Sequence, residues 1–130
     1  MKVIERRDLA PQVLSLQMAM LEMPQITEEL VHHFARGLYA REMRVPRGTL
    51  VVGKLHRYDC LNFIIQGVAE VASADGRYQV KAPEIFTSPA GTKRAIMALE
   101  DLIWVTVHAS KETDLDKLET ELIEEEICLG

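Results

Sequence analysis

Apolar and polar positions alternate along most of the chain with the period of two that is typical of β-strands. Between residues 30 and 108, short runs rich in β-branched and aromatic residues are separated by Gly, Pro or Asp-Gly. These runs are LVHHFA, LYAREMRV, TLVVGKL, LNFIIQ, VAEVAS, RYQVKA, EIFTS, KRAIMA and LIWVTVH. Asp75-Gly76, between two alternating runs, indicates a β-hairpin. So many short strands at regular spacing predict an all-β sandwich or barrel.

Two segments have helical rather than strand periodicity. Within residues 1–24, apolar residues recur every three to four positions, with Pro11 in the first turn and Pro24 just beyond the last, which predicts an N-terminal amphipathic helix. The sequence TDLDKLETELIEEEI predicts a C-terminal acidic helix over residues 112–127, with Thr113 and Asp116 in a capping arrangement. Its narrow apolar stripe consists of Leu115, Leu118 and Leu122. A thin stripe of this kind often packs on a barrel wall or on a second subunit.

Composition and charge narrow the class of protein. A chain of 130 residues, 48% hydrophobic and 27% charged, is the size of one ordinary globular domain. Residues 111–130 carry a net charge of −6, whereas the preceding 110 residues carry +1. The body of the protein therefore has no basic stripe for nucleic acid and no polybasic membrane patch. No apolar run approaches the roughly 20 residues that cross a bilayer.

The cysteines and the N-terminus bear on cellular location. Cys60 and Cys128 are the two cysteines, which do not make a disulfide framework, and there is no CxxC pair for a zinc ribbon. The N-terminal MKVIERRDLA is followed by a segment broken by Gln and Glu, without a cleavage site, which argues against a secretory signal. We therefore expect a cytoplasmic protein.

The spacing of a few residues gives a second argument for the fold. Gly48 is followed by five residues and then by Lys54 and His56 in a Lys-x-His arrangement. Cys60 comes after three more residues and Gly67 after another six. This spacing resembles the first motif of the cupin superfamily, which are small β-barrels of the jelly-roll type. That motif runs Gly, five residues, His-x-His, three or four residues, Glu, six residues, Gly.

A second stretch resembles the second cupin motif, which runs Gly, five residues, Pro-x-Gly, two residues, His, three residues, Asn. Here Pro83 takes the first place, and Pro89 and Gly91 form the Pro-x-Gly turn. Arg94 stands at the histidine position and Ala98 at the asparagine position. The resemblance implies a single cupin domain over residues 1–130, with the barrel over residues 30–108 and a helix on either side.

A narrower likeness covers most of the chain after residue 32. The stretches HHFARGLYAREMRVPRGTLVVGKLH, SPAGTKR and WVTVHASKETDL are similar to small single-domain cupins encoded by tailed phages and prophages. This resemblance implies a viral origin, and hence the host cytoplasm as the location. It implies no particular reaction.

The resemblance to metal-dependent cupins implies four ligand positions, which Lys54, His56, Cys60 and Arg94 occupy in this chain. A lysine and an arginine carry no lone pair at neutral pH and repel a divalent ion. We therefore expect no intact metal site and no cofactor. The alternative is one divalent transition metal held by His56 with Cys60 and His108, if the face of LIWVTVH that carries His108 points inward.

The same substitutions favour an anion. Lys54, His56 and Arg94 would place two fixed positive charges and a titratable ring around one cavity, and an arginine fork suits a phosphate or carboxylate. Cys60, Trp104 and His108 complete the predicted ligand-binding set.

Each of these residues also has a structural alternative. His56 would be a buried polar group bonded to the backbone, and Lys54 would extend to the barrel rim. Cys60 would be a small buried hydrophobe. Arg94 would form an ion pair with Glu42, Glu84 or Glu100.

Two further pairs of positions concern strand faces. His32 and His33 point to opposite sides of one strand, so they cannot hold the same ion. Tyr39 and Arg41 alternate with their neighbours, so either these two or the residues between them must face the cavity.

Three hypotheses of function follow. The first is a non-catalytic cupin that binds a small anionic ligand, in one version sequestering a nucleotide-like signalling molecule of the host. The second is a metal-dependent dioxygenase or isomerase that uses His56 with Cys60 or His108. The third is a virion or assembly protein whose closed, leucine-packed barrel only mediates contacts. A homo-oligomer is expected under all three, because barrels of this kind pair through sheet edges and terminal elements.

Overall fold

The computed structural model describes residues 29–53, 55–74 and 76–123. In this part of the chain the strands are, in order, β1 (Glu29–Ala35), β2 (Leu38–Val45), β3 (Leu50–Val52), β4 (Cys60–Gln66), β5 (Val68–Ser73), β6 (Gly76–Lys81), β7 (Glu84–Ser88), β8 (Ala95–Ala98) and β9 (Leu102–Ala109). One helix, α1 (Leu115–Leu122), follows them. The fold is therefore mainly β, as the alternating pattern predicted.

The strands form two antiparallel sheets. The five-stranded sheet has the order β1-β2-β9-β4-β7, and the four-stranded sheet has the order β3-β8-β5-β6. Several pairs of strands that are neighbours in sequence, such as β3 and β4, lie in different sheets, so the chain crosses repeatedly between the two layers. The pairing of β5 with β6 is the hairpin that Asp75-Gly76 predicted, with Ser73 opposite Gly76.

The inward-facing side chains of the two sheets form the main hydrophobic core. Every second residue of a strand points inward, which is the period that the sequence pattern showed. The buried apolar members of the core are Met43, Val45, Ile64, Ala69, Val71, Val80, Ile96, Ala98, Leu102 and Trp104. Three of them, Met43, Ile96 and Trp104, also line a cavity together with polar residues.

The helix α1 is shorter than the sequence predicted and begins with a different cap. Asp114, not Thr113, is the N-cap residue, and its carboxylate accepts hydrogen bonds from the backbone N–H groups of Asp116 and Lys117. Ile123 already has extended backbone angles, so the helix ends at Leu122 instead of continuing to 127. Residues 124–127 lie outside the described residues.

The apolar stripe of α1 packs on the barrel. Leu118 and Leu122 are buried against Tyr39 in a second, smaller hydrophobic cluster. Leu115, the third leucine of the predicted stripe, is half exposed. The N-terminal helix predicted within residues 1–24 lies outside the described residues. In the part of the chain that is described, no helix is both long and apolar enough to span a membrane.

Candidate ligand-binding site

Three neighbouring strands of the larger sheet bring polar side chains together at one end of the interior. Arg41 on β2 lies opposite Thr106 on β9, and Thr106 lies opposite Asn62 on β4. Because residues that are partners across antiparallel strands point to the same face, all three side chains face inward. A sheet interior is usually apolar, so this row of polar groups marks a site.

A cavity of about 110 Å³ lies between this polar row and the strands of the smaller sheet, and we call it the barrel cavity. Its lining residues are Arg41, Met43, Val51, Val52, Gly53, His56, Cys60, Asn62, Ser88, Thr92, Arg94, Ile96, Trp104 and Thr106. Among the described residues, two arginines and no carboxylate line it. The barrel cavity is therefore positively charged.

Arg94 lies on the smaller-sheet side of the barrel cavity, just before β8. Its Nε donates a hydrogen bond to the hydroxyl of Tyr78, 3.0 Å away. Its guanidinium carbon lies 5.2 Å from the ring centre of Phe86 and 5.8 Å from that of Trp104, which are cation–π distances. These contacts hold the side chain in place and leave its two terminal nitrogens as hydrogen-bond donors.

The structure does not support the ion pair that was the alternative for Arg94. Glu42 is on the outer face of the sheet, where it contacts Arg44 and His33. Within residues 29–123 as described, neither Glu84 nor Glu100 forms an ion pair with Arg94. The charge of Arg94 is therefore not neutralised by any described carboxylate.

Arg41 is the second cation of the site, half-buried on the inner face of β2. The described residues include no carboxylate in an ion pair with it. Its charge lowers the pKa values of His56 and His108, which shows that it acts on both rings. Sequence reasoning left open which face of β2 carries Arg41. The pairing with β9 decides that question, because Arg41 lies opposite Thr106.

Asn62 organises the inner wall of the barrel cavity. Its amide donates a 2.6 Å hydrogen bond to the hydroxyl oxygen of Ser88. Its Oδ1 accepts a hydrogen bond from Trp104 Nε1 at 2.9 Å and a longer one from Thr106. The network satisfies these buried groups internally. Asn62 was not predicted as a site residue, although it follows Cys60 at the strand period of two.

His56, Cys60 and His108 meet at one side of the cavity. One ligand atom from each of them, a ring nitrogen or the sulfur, lies within 4.8 Å of the others. The rings of His56 and His108 are 5.1 Å apart and within 13° of parallel. His56 Nδ1 is buried and has no hydrogen-bond partner among the described residues. The alternative that His56 is a polar core residue fully bonded through its ring is therefore not supported.

Burial and neighbouring charge keep these groups neutral. The pKa of His56 falls to about 3, mainly because burial disfavours the charged ring and also because His108, Arg41 and Arg94 are near. Burial lowers the pKa of His108 to about 4, and Arg41 adds to this effect. Burial raises the pKa of the Cys60 thiol, although a hydrogen bond with Ser88 opposes the increase. At neutral pH the positive charge of the cavity therefore comes from the arginines.

The loop that carries His56 is held at both ends by backbone hydrogen bonds. The His56 carbonyl accepts from the N–H of Gly91 at 2.9 Å, and the N–H of Arg57 donates to Leu122 O at 2.8 Å. Arg57 Nε donates to Ile123 O, and His56 and Ile123 form an isolated antiparallel bridge. The Pro-x-Gly turn and the end of α1 thus position His56 from two sides.

The glycines of the two motif-like stretches have the backbone conformations that such turns require. Gly67 has φ +90°, and a β-carbon at this position would overlap the carbonyl oxygen of Asp101. Gly91 has φ +84°, which closes the turn after Pro89. The hydroxyl of Thr92 donates to the Pro89 carbonyl at 2.6 Å. The motif spacing therefore corresponds to turns that exist in the structure.

The structure brings five of the six predicted ligand-binding residues to one place. His56, Cys60, Arg94 and Trp104 line the barrel cavity, and His108 stacks on His56 behind it. Lys54 lies outside the described residues.

A second cavity of about 180 Å³ lies between α1 and the inner face of β1 and β2, and we call it the helix cavity. Its lining residues are Leu30, His32, Tyr39, Arg41, His56, His108, Leu115, Leu118, Glu119, Leu122 and Ile123. A series of near-parallel rings runs along it, from His56 through His108 and Tyr39 to His32. His32 Nδ1 and the Tyr39 hydroxyl are 2.7 Å apart, whereas His33 faces the opposite side of the strand, as predicted.

Comparison with known proteins defines the fold. No protein-family model matches the sequence, and no curated protein matches it. Among solved structures, a cupin domain from Bordetella pertussis Tohama I matches with a TM-score of 0.54 and 15% identity, covering 68% of this chain and 98% of that chain. KdgF from Halomonas sp. matches with a TM-score of 0.53 and 22% identity, covering 68% and 81%. A conserved protein of unknown function from Streptococcus pyogenes matches with a TM-score of 0.55 and 21% identity, covering 69% of this chain and 80% of that chain.

These likenesses confirm the predicted fold, because several of the structural neighbours are cupin-domain proteins. The chain has the fold of a cupin barrel. At 14–22% identity the likenesses carry no statement about activity. Function has to be argued from the cavity itself.

Proposed function

We propose that this protein binds a small anionic ligand, bearing a phosphate or a carboxylate, in the barrel cavity. One observation carries the proposal: Arg41 and Arg94 line the same cavity, and no described carboxylate lines it with them. Uncompensated cations in a partly desolvated site cost free energy unless an anion joins them. A bound anion would supply the missing charge.

The hydrogen-bonding state of the cavity favours arginine as the main anion ligand. The amide and indole N–H groups of Asn62 and Trp104 already have acceptors. Tyr78 occupies only the Nε of Arg94, so the terminal nitrogens can make a bidentate contact with two anion oxygens. Arg41 would approach from the opposite sheet and complete the charge balance.

Binding should be measured by isothermal titration calorimetry on the full chain, with sodium phosphate and sodium acetate as probes. We expect binding in the micromolar to millimolar range of small polar ligands, weakened by added salt because the contact is electrostatic. Arg94→Ala should abolish measurable binding, which corresponds to a loss of about tenfold or more. Arg77→Ala is the matched control, since Arg77 is an exposed residue of β6 that does not line the cavity.

Two results would contradict the proposal. One is the absence of binding for both anions at millimolar concentration. The other is an Arg94→Ala variant that retains the affinity of the parent protein while Arg77→Ala behaves the same way. A sequestering role for a signalling molecule, and a phage setting, depend only on the likeness to phage-encoded cupins and stay predictions.

A metal-dependent enzyme is the second candidate, and one observation favours it. His56, Cys60 and His108 offer two imidazoles and a thiol within 4.8 Å, and His56 Nδ1 is a buried atom without a described partner. Neutral imidazoles and a thiolate are ligands that suit Zn²⁺ and related transition metals. A metal held there would polarise a bound oxygen or activate water. Arg94, at the position of the fourth ligand, opposes a divalent cation by charge.

Metal content separates the two candidates. Mass spectrometry of protein purified without chelator or histidine tag should give far less than one metal per chain if the anion proposal holds. Near-stoichiometric zinc, iron, manganese or nickel, lost in His108→Ala, would favour the enzyme. The structural-barrel alternative required a closed, leucine-packed cavity, and the polar lining of the barrel cavity does not support it.

A further inference from the structure

The barrel cavity and the helix cavity adjoin, because Arg41 and His56 line both of them. Their linings differ in kind. The barrel cavity holds arginines, an amide and hydroxyl groups, whereas four leucines and an isoleucine line the helix cavity together with flat rings. A cationic compartment is thus joined to one with a more apolar lining, and Arg41 lies at the junction.

We propose that the ligand has two parts: an anionic group held by Arg41 and Arg94 in the barrel cavity, and a planar apolar group, about the size of a phenyl ring, in the helix cavity under α1. This inference rests on the proposed function and specifies its ligand class as an aryl-bearing phosphate or carboxylate. The helix cavity needs its own explanation, because binding of a simple anion does not require an apolar cavity beside the arginines.

The size of the helix cavity fits one aromatic ring. A buried apolar cavity of roughly 150 Å³ accepts benzene in a protein core. The helix cavity measures about 180 Å³, so it has room for a single six-membered ring. Its wall of near-parallel rings, with 5.1 and 5.9 Å between successive centres from His56 through His108 to Tyr39, offers surfaces against which an aromatic group packs.

The charges around the helix cavity orient the ligand. Glu119 is the single described carboxylate in its lining, and it is exposed. Arg41 lies at the junction with the barrel cavity, so the anion points toward Arg41 and the neutral ring toward α1. Leu30 and Leu115, which are 39% and 46% exposed, form the partly open edge of the helix cavity.

The test compares two pairs of probes by calorimetry on the full chain: inorganic phosphate with phenyl phosphate, and acetate with 3-phenylpropionate. In each pair that binds, the phenyl compound should bind about 10- to 100-fold more tightly, the gain expected for burying a phenyl group. Leu115→Trp, which adds bulk at the edge of the helix cavity, should remove this gain and leave the affinity for the simple anion unchanged. Leu61→Trp is the matched control, because Leu61 is 44% exposed and lines neither cavity.

The outcomes separate this inference from the proposed function. If the simple anions bind and the phenyl compounds bind no more tightly, the two-part ligand is excluded and the anion site stands. If the phenyl gain survives in Leu115→Trp, the ring does not occupy the helix cavity, and the inference is wrong. If none of the four probes binds, the proposed function fails and this inference fails with it.

Discussion

The five-stranded sheet carries polar residues on part of its inner face and exposed apolar residues on part of its outer face. Toward one end of the inner face lie Arg41, Asn62 and Thr106, all hydrogen-bonding or charged groups. The outer face carries Leu61 and Ile65 of β4 and Ile85 of β7, which are 44%, 58% and 66% exposed. Sheets of soluble proteins more often bury apolar residues and expose polar ones. We therefore place the proposed ligand site on the inner face, and we propose the exposed apolar residues of the outer face as an interaction surface.

The largest expected effect comes from breaking the inner polar network. Asn62→Ala would leave the buried indole N–H of Trp104 without its acceptor and would remove one hydrogen bond of the Ser88 hydroxyl. An unsatisfied buried group and a lost side chain together cost about 2–4 kcal/mol. Urea unfolding should therefore show a clearly lower free energy of unfolding.

The matched variant on the outer face is Leu61→Ala, on the next residue of the chain. We expect it to change the free energy of unfolding by less than about 1 kcal/mol, because Leu61 is already partly in water. Equal destabilisation by the two variants would mean that the inner network does not hold the barrel together.

A second effect is acid sensitivity from the inner histidines. The pKa of His56 is about 3 and that of His108 about 4 in the folded protein, both below the ordinary 6.5. The unfolded chain therefore binds more protons between these values, so the stability is complete above pH 6.5 and declines as the pH falls through this window. Each histidine contributes at most about 1.4 kcal/mol per pH unit.

Unfolding free energies measured with chelator present at several pH values between 7 and 4 would test this slope. His108→Gln should reduce the pH slope of the unfolding free energy by the contribution of up to one bound proton. Leu61→Ala, which removes no titratable group, should leave the pH dependence as in the parent protein. A parent protein whose stability stays flat from pH 7 to 4 would show that the inner rings do not titrate as described.

Substitutions on the outer face should have the smallest effect on stability. Their main effect should be on self-association. Replacing Ile65 and Ile85 by Lys should alter the free energy of unfolding by about 0.5 kcal/mol or less. If the outer face pairs two copies of the chain, the double variant should sediment as a monomer while the parent protein sediments as an oligomer. A monomeric parent protein would remove the outer face as a self-association surface.

The accuracy of the predictions from sequence differs between the strands, the helix and the site. The strands β2, β5 and β7 have the bounds of the predicted runs, because their alternation is regular and Gly or Pro ends each run. The run TLVVGKL was predicted as one strand, but among its described residues only Leu50–Val52 form β3, and Gly53 donates a backbone hydrogen bond to Arg94 O beyond the strand. The cap of α1 was displaced by one residue, because both Thr113 and Asp114 are good capping residues.

The site was predictable where spacing fixes position. His56, Cys60 and Arg94 followed from the motif-like spacing, and Trp104 and His108 followed from alternation along β9. Arg41 could not be assigned to the site from the sequence, because the assignment depends on which face of β2 points inward. The pairing between β2 and β9 shows that face. The helix cavity was not predictable at all, because it depends on where α1 packs.

The bridge between His56 and Ile123 fastens the end of α1 to the loop beside the proposed ligand site. Residues 67 positions apart in sequence are joined there, and the backbone of Arg57 bonds to the last turn of the helix. Any event that lifts the end of α1 must break these contacts and leave the loop that carries His56 held only from the side of Gly91. Fraying of the C-terminal helix would therefore loosen the wall that the two cavities share.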